Sequence, residues 1–293
     1  MLSTIGLFLR RRQDRMNSEK MSQTKLYDTA RHIHPALEEL RNLYEYRFLI
    51  LQLIQRDILT RYKRSFLGIA WTMLNPLGTM LVLSIVFSQL FAVRTNAYPL
   101  YLLSGLMVWN FFAQSTTAAM QIIVWGSGLL HKIYVPRSIF TLSAICTAMV
   151  NLVLAIVPLL LVSLILKFPL GWAILFLPVP MLLLAFFAFG IGLLLSTLAV
   201  YFPDVSEMYQ IVLMAWMYMT PVIYPANIIP VNIQTFIRMN PMYYLLNLYR
   251  LPLYDGRLPA WGEIWPAVVW AVGMMIFGWF VFTSKSDEFA YRV

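Results

Sequence analysis

The sequence predicts an all-α membrane protein with six transmembrane helices. Three observations carry this. Apolar residues make up 60% of the chain and charged residues 12%, against about 25% charged in a soluble domain, and mean hydropathy is +0.70. Six apolar runs approach the ~20 residues a helix needs to cross about 30 Å of hydrocarbon: 70–93, 101–124, 139–166, 173–200, 207–224 and 264–283. Finally, Lys and Arg fall unevenly about these runs. With six spans, seventeen basic residues share the side of the two termini and five lie opposite. By the positive-inside rule both termini are cytoplasmic and the protein is multi-pass. The net charge of +9 is then topology and membrane-surface charge, and no nucleic-acid partner is needed.

Residues 1–34 are polar and mixed in charge, and a flexible cytoplasmic N-terminus is expected. MLSTIGLFLRRR is not read as a signal peptide, because its charges follow the apolar patch. His34-Pro35 with Glu38 and Glu39 reads as a helix start: Pro suits the first helical position and carboxylates suit the positive end of the dipole. His32 and His34 have no further metal ligands nearby, so helix entry is the better reading. Over 35–66 an amphipathic interface helix is expected, with Leu51, Ile54, Ile58, Tyr62 and Phe66 on one face. Such a helix lies in the interface plane. It reads equally as a membrane anchor or as a platform for a cytoplasmic partner.

Four cations crowd its end: Arg56, Arg61, Lys63 and Arg64. They sit at headgroup level, where they would hold anionic lipid or receive a phosphate group. Asn75-Pro76 reads as a turn signal at the first span. The loop after the second span, WGSGLLHKIYVPR, is too apolar for an idle connection. A short helix at a protein interface fits it, and so does a corner packed on its own span. The third span carries Asn151 and Pro158, which suit a tilt or kink. Asp204 with Ser206 reads as a helix cap. Between spans five and six, residues 226–253 are proline-rich and too broken for a regular span. Two short helices, 228–239 and 241–253, are expected at the outer interface or dipping in against protein. A cytoplasmic tail, 285–293, closes the 67–284 transmembrane domain.

Several chemistries are missing from the sequence. No acidic residue occurs from Ile58 to Pro203, where an ion-coupled carrier would place its intramembrane carboxylates. There is no GxxxxGK[ST] phosphate loop, no HExxH and no Ser-His-Asp order. Cys146 is the one cysteine, so no intrachain disulfide exists. Uphill transport would need energy from a partner.

Four motifs, in order, carry a family resemblance: RDILTRYKRSFLGIAWTMLNPL (56–77), HKIYVPR (131–137), YFPDVSEMYQIVLMAWMYMTPVIYP (201–225) and RMNPMYYLLNLYR (238–250). Over about 45–285 the chain resembles the membrane permease subunit of ATP-binding-cassette exporters of cell-surface polysaccharide: O-antigen, capsule and teichoic acid. One departure is Pro203, where the family often has Arg.

The resemblance implies a bacterial inner-membrane homodimer over two separate ATPase subunits, which would hold ATP and Mg2+. It implies no catalytic residue, metal or cofactor on this chain. Leu129, Leu130, His131, Lys132, Ile133, Tyr134 and Arg137 would form a coupling helix seated in the ATPase. The re-entrant outer helices would close the exit, with Pro241, Tyr243, Tyr244 and Arg250 at the outer gate. The implied cargo is a glycan on a polyprenyl pyrophosphate, loaded beside Arg56, Arg61, Lys63 and Arg64. A long polymer calls for a continuous channel, and aromatic faces bind sugar rings. Candidates are Trp71, Phe87, Phe91, Trp109, Phe111, Phe112, Trp216, Tyr218 and Tyr224; lipid-facing or core packing is the plainer role for any one of them. The rival readings are a drug or small-lipid exporter permease and a non-transporting membrane scaffold for glycan-synthesis enzymes.

Overall fold

The computed structural model describes residues 35–63, 66–68, 70–91, 97–125 and 135–285. Every regular element among them is helical. Lipid imposes this, because a helix satisfies its backbone within one segment. In chain order the α-helices are α1 Pro35–Glu45, α2 Arg47–Tyr62, α3 Ala70–Phe91, α4 Tyr98–Trp125, α5 Ser138–Ile165, α6 Pro178–Tyr201, α7 Val205–Met219, α8 Val231–Arg238, α9 Pro241–Arg250 and α10 Trp261–Lys285. The expectations for 1–34, for the loop residues 126–134 and for the tail 286–293 lie outside the described residues.

Four helical stretches are long and apolar enough to cross a membrane: Ala70–Phe87, Ser138–Ile165, Trp172–Tyr201 and Trp261–Lys285. The third joins a 3-10 turn, Trp172–Phe176, to α6. The other two expected spans differ for separate reasons. α4 has 28 residues, but Ser104, Asn110, Gln114, Ser115, Thr116 and Thr117 interrupt its apolar surface. It tolerates them because protein surrounds it: residues 100–109 are all buried, and α3, α5, α6, α7 and α9 pack against it. α7 has 15 residues, about 22 Å at 1.5 Å per residue, and breaks off at Thr220-Pro221.

Where helices face one another the contacts are small or hydroxylic. α6 and α10 cross with Gly190 against Gly278. A Cβ on Gly278 would run into the carbonyl of Gly190, and one on Gly190 into the carbonyl of Met274. Small residues permit such close approach, and dispersion drives it where no water is left to exclude. Ser196 Oγ donates to the Ala119 carbonyl at 3.0 Å, tying α6 to α4. Thr116 and the Tyr209 hydroxyl, 2.7 Å apart, tie α4 to α7. Between these ties sits an aromatic core: the Phe112 ring lies 5.7 Å from Phe187 and 5.1 Å from Trp216.

The N-terminal region is two helices, broken at Tyr46 (φ −91°, ψ 17°), where one was expected. The side of α2 that packs on protein is distinct from most of the expected apolar stripe, of which Ile54 alone, among the described residues, joins the contact. Ile50 and Leu53 pack on Ile139, flanked by Leu43, Tyr46, Leu49, Val135 and Phe140. From the expected face, Leu51 and Phe66 are exposed. The helix carries apolar residues on two sides, so periodicity alone admits two stripes. A hydrogen bond from Ser138 Oγ to Glu39 Oε2 (2.6 Å) helps fix which one meets α5. Asn75-Pro76 lies inside α3 and marks no turn. Asp204 stands at the N-cap position of α7 but makes no side-chain cap bond.

The end of α7 determines how the outer segment folds. Five successive residues there, 220–224, have no helical ladder, yet polar side chains reach most of their carbonyls. Arg250 is 7% exposed and all five of its N–H groups meet an acceptor. Nη1 donates to the Pro221 carbonyl (2.6 Å) and the Tyr101 hydroxyl (2.8 Å). Nη2 donates to the carbonyls of Val222 (2.8 Å) and Tyr101 (3.2 Å), and Nε donates to Ser104 Oγ (3.4 Å). The guanidinium carbon lies 3.7 Å over the Tyr101 ring, a cation–π contact. Gly105 makes room, since a Cβ there would strike Nη2. Tyr98 donates its hydroxyl to the Ile223 carbonyl (2.8 Å) and Tyr101 to that of Tyr224 (3.2 Å).

Asn240 completes the set. Its amide nitrogen donates to the Met219 carbonyl (3.3 Å) and Thr220 Oγ1 (2.8 Å). Its oxygen accepts from Trp216 Nε1 (2.8 Å) and caps α9 at the Met242 N–H (3.0 Å), with Pro241 at the first helical position. Two short helices are therefore present in this segment, α8 and α9, followed by a π-helical turn, Leu251–Asp255, that ends on Gly256 at φ 64°.

Two measurements check this packing. Gly278→Val should lower the melting point of the detergent-solubilised protein by an overpacking cost of about 1–3 kcal/mol or more. Gly273→Ala, on the same helix but with nothing within 4 Å of the added carbon, should stay within about 0.5 kcal/mol. Arg250→Met should cost about 2–6 kcal/mol, since it strands the two carbonyls of Pro221 and Val222 at about 1–3 kcal/mol each. Arg250→Lys should not rescue it, because one ammonium cannot reproduce the planar five-donor fork.

Candidate functional site

α4 sets the long axis of the site. Arg250 meets it at Tyr101, and Arg56 of α2 lines a cleft with its Ile122. These contacts are 21 residues apart, about 32 Å along a helix and close to the hydrocarbon thickness. α2 and α9 therefore lie at opposite ends of the bundle.

Two cavities open along α4 and α5 from the α2 end. The first, 440 Å³, is bounded by Arg56, Asp57 and Thr60 of α2, by Gln114, Ala118 and Ile122 of α4, and by Ala144, Thr147, Ala148 and Asn151 of α5. The second, 290 Å³, shares Gln114, Ala148 and Asn151 and runs on to Trp71, Thr72, Asn75 and Pro76 of α3, with Asn110 and Phe111 behind. The shared walls make one cleft. It has a charged mouth and, among the described residues, an uncharged interior in which carboxamides and hydroxyls stand among apolar side chains such as Met107, Leu152 and Ala155. At the mouth, Arg56 Nε and Nη2 donate to Asp57 Oδ1 at 3.1 and 2.9 Å, so the cation already has a carboxylate beside it.

The expected site residues fall as follows. Of the basic cluster, Arg56 is exposed at the cleft mouth and Lys63 is exposed at the end of α2. The Arg61 side chain and Arg64 lie outside the described residues, as do Leu129, Leu130, His131, Lys132, Ile133 and Tyr134. Arg137 is half-buried where α5 begins, next to the Ile50–Leu53–Ile139 cluster. The start of α5 and the N-terminal helices thus meet at one end of the bundle.

Among the aromatic candidates, Trp71 and Phe111 line the cleft. Trp109 and Phe112 are buried in the core with Trp216 beside them. Phe87 is half-buried against that core, and the Phe91 side chain is not among those described. Tyr218 is exposed, and its carbonyl accepts from the Tyr224 hydroxyl at 2.7 Å. At the outer end, Pro241 opens α9, Tyr243 and Tyr244 form an edge-on pair at 5.4 Å, and Arg250 is the buried cation described above.

Asn75, Asn110, Gln114, Thr147 and Asn151 were not singled out from the sequence as a site. The available signal was the carboxamides themselves, since polar side chains inside apolar spans are costly and mark pathways.

Known proteins agree with this architecture. Residues 49–254, from α2 through α9, match the ABC-2 type transporter family. The chain is 30% identical over 263 residues to the O-antigen export system permease protein RfbA of Myxococcus xanthus, which covers 87% of this chain and 98% of that one. It is 27% identical over 215 residues to the RfbA permease of Klebsiella pneumoniae (72% and 82%). It is 22% identical over 242 residues to the capsule polysaccharide export inner-membrane protein CtrC of Neisseria meningitidis serogroup B (79% and 89%). With a family match over most of its length and a relative matched almost end to end, the chain belongs to the ABC-2 type transporter family.

Proposed function

We propose that this chain is the membrane permease subunit of an ABC exporter of lipid-linked cell-surface polysaccharide. The observation that carries the reading is the near-complete match to an O-antigen export permease, joined to a cleft that begins at the amphipathic helix and runs to mid-bundle. In this reading α4 and α7 complete six spans, both termini are cytoplasmic, and α8 and α9 are re-entrant helices at the exit. Two copies stand side by side in the bacterial inner membrane over two ATPase subunits, which supply ATP hydrolysis and hold the Mg2+. The segment from Leu129 to Arg137 couples to the ATPase. Its support is that the described part, Val135 to Arg137, packs beside α2 at the same end of the bundle.

The cations at the end of α2 receive the pyrophosphate. Arg56 is held beside Asp57, so it is available to an arriving phosphate by exchange of one anion for another. The polymer then passes between the two copies, along aromatic faces that begin at Trp71.

Two measurements test this reading. The protein should copurify with an ATPase subunit whose activity rises on adding lipid-linked glycan; cysteines at Leu130 or Tyr134 should trap that subunit, and failure at both sites removes the coupling assignment. Neutralising Arg56, Arg61, Lys63 and Arg64 together should cut surface polysaccharide by about tenfold or more, the loss expected for one charge-assisted phosphate contact. Normal export from a protein that still inserts would refute the loading role.

A further inference from the structure

We propose that the cleft between α3, α4 and α5 is a carbohydrate-binding groove that hydrogen-bonds the hydroxyl groups of the cargo's sugars. The proposal rests on the polysaccharide reading above and assigns residues that the family match does not. Its basis is a set of neutral polar groups from three helices converging on one cavity: Asn75, Asn110, Gln114, Thr147 and Asn151.

None of the four carboxamides forms a side-chain hydrogen bond to another described residue. Thr147 is sharper evidence. It is 6% exposed and lines the cleft, yet its hydroxyl has no partner among the described residues. Thr116 of α4, by contrast, bonds back to the Phe112 carbonyl; Ser84 of α3 and Thr141 of α5 also have no partner among the described residues, but neither lines the cleft. Asn151 stands 13 residues into α5, about 20 Å from its start, so this polarity lies deep in a membrane helix. A polar group there needs a partner, and the bundle supplies none among its described residues.

The chemistry of the lining selects the ligand class. Among the described residues, the interior of the cleft holds no charged side chain; Arg56 and Asp57 stay at the mouth, paired with each other. An anion or a metal cation would find no counter-charge inside. A hydrocarbon chain would strip four carboxamides of their water. A sugar fits, because each hydroxyl both donates and accepts, as each carboxamide does. Trp71, 52% exposed, offers a face for a ring.

α5 shows the contrast directly. Ala148, Asn151 and Ala155 face the cleft. Met149, Val153 and Ile156, on another side of the same helix, line a 520 Å³ groove walled by Ile174, Leu177 and Met181 with no polar side chain. Hydrocarbon suits that groove and hydroxyls suit the cleft.

The test is photocrosslinking in cells that make the polysaccharide, on the full chain with its ATPase. Trp71 is replaced by p-benzoylphenylalanine, an aromatic of similar bulk. The expected result is an adduct that carries sugar and disappears when glycan synthesis is blocked. Adding Gln114→Leu, or Asn110→Leu with Asn151→Leu, should reduce the adduct about tenfold, as loss of one or two sugar hydrogen bonds implies, while copurified ATPase stays constant. Val153→Leu, on the other side of α5, should leave the adduct unchanged.

An adduct of lipid alone, no adduct, or full yield in the leucine variants would overturn the groove. Deleting the chain separates the two levels. If surface polysaccharide persists in the deletion, the export reading falls and the groove with it. If it is lost while the crosslink carries no sugar, the groove alone falls.

Discussion

A membrane helix that stops short leaves carbonyl groups where water cannot reach them. Here α7 ends after 15 residues, and the chain from Thr220 to Tyr224 turns through the bundle without a ladder of its own. One cation answers two of these carbonyls, and the Tyr98 and Tyr101 hydroxyls answer two more. Arg250 contributes five donors, two of them to Pro221 and Val222, and among the described residues no carboxylate pairs with it. The negative end of the α7 dipole and the Tyr101 ring stand in for a counter-ion. The rest of the outer end follows from this contact. It joins α9 to α4, requires glycine at position 105, and leaves Asn240 to hold the remaining acceptors while capping α9. The outer pieces thus become part of the bundle.

The same constraint acts with the opposite outcome at the other end. In the cleft, polar side chains also lie deep in helices, but the bundle does not pair them. The polar groups that meet the Arg250 guanidinium are mutually satisfied and serve rigidity, although the buried Tyr249 hydroxyl beside them has no partner among the described residues. Around Asn110, Gln114, Thr147 and Asn151 they line open volume, which the proposed groove would fill with sugar. The guanidinium network and the mouth of the cleft stand about 32 Å apart along α4. The glycine contact of α6 with α10 and the hydroxyl ties of α4 to α6 and α7 hold the two ends in fixed relation.

Much of the fold was legible in the sequence. The helical runs around α3, α5, α6 and α10 were plain from length and hydropathy, and Pro241 and the proline spacing of 226–253 marked two short outer helices. α4 was harder, because burial by neighbours, which hydropathy cannot register, is what permits its polar residues. The side of α2 that packs on protein was not legible, since Ile50–Leu53 and Leu51–Ile58 are both apolar stripes and the start of α5 meets the first. Asn75-Pro76 read as a turn and lies within α3, where neighbouring turns support the helix. Of the aromatic candidates, Trp71 and Phe111 reach the cleft, while Phe112 packs on Phe187 and Trp216; ring chemistry alone does not separate these roles.

By itself, the sequence determined that this chain is a helical membrane protein, which end is basic, and that no nucleotide phosphate loop accompanies it. Those are properties of composition, run length and charge order, which lipid reads along a single segment. Only the tertiary structure decided that Arg250 serves the carbonyls of Pro221 and Val222, and that Asn75, Asn110, Gln114 and Asn151 face a common volume. Those residues sit on separate helices, and what brings them together is rotation and close packing at positions such as Gly105, Gly190 and Gly278. Which face of a helix meets its neighbour is fixed by the pairwise fit of surfaces, and that fit is not written in either helix alone.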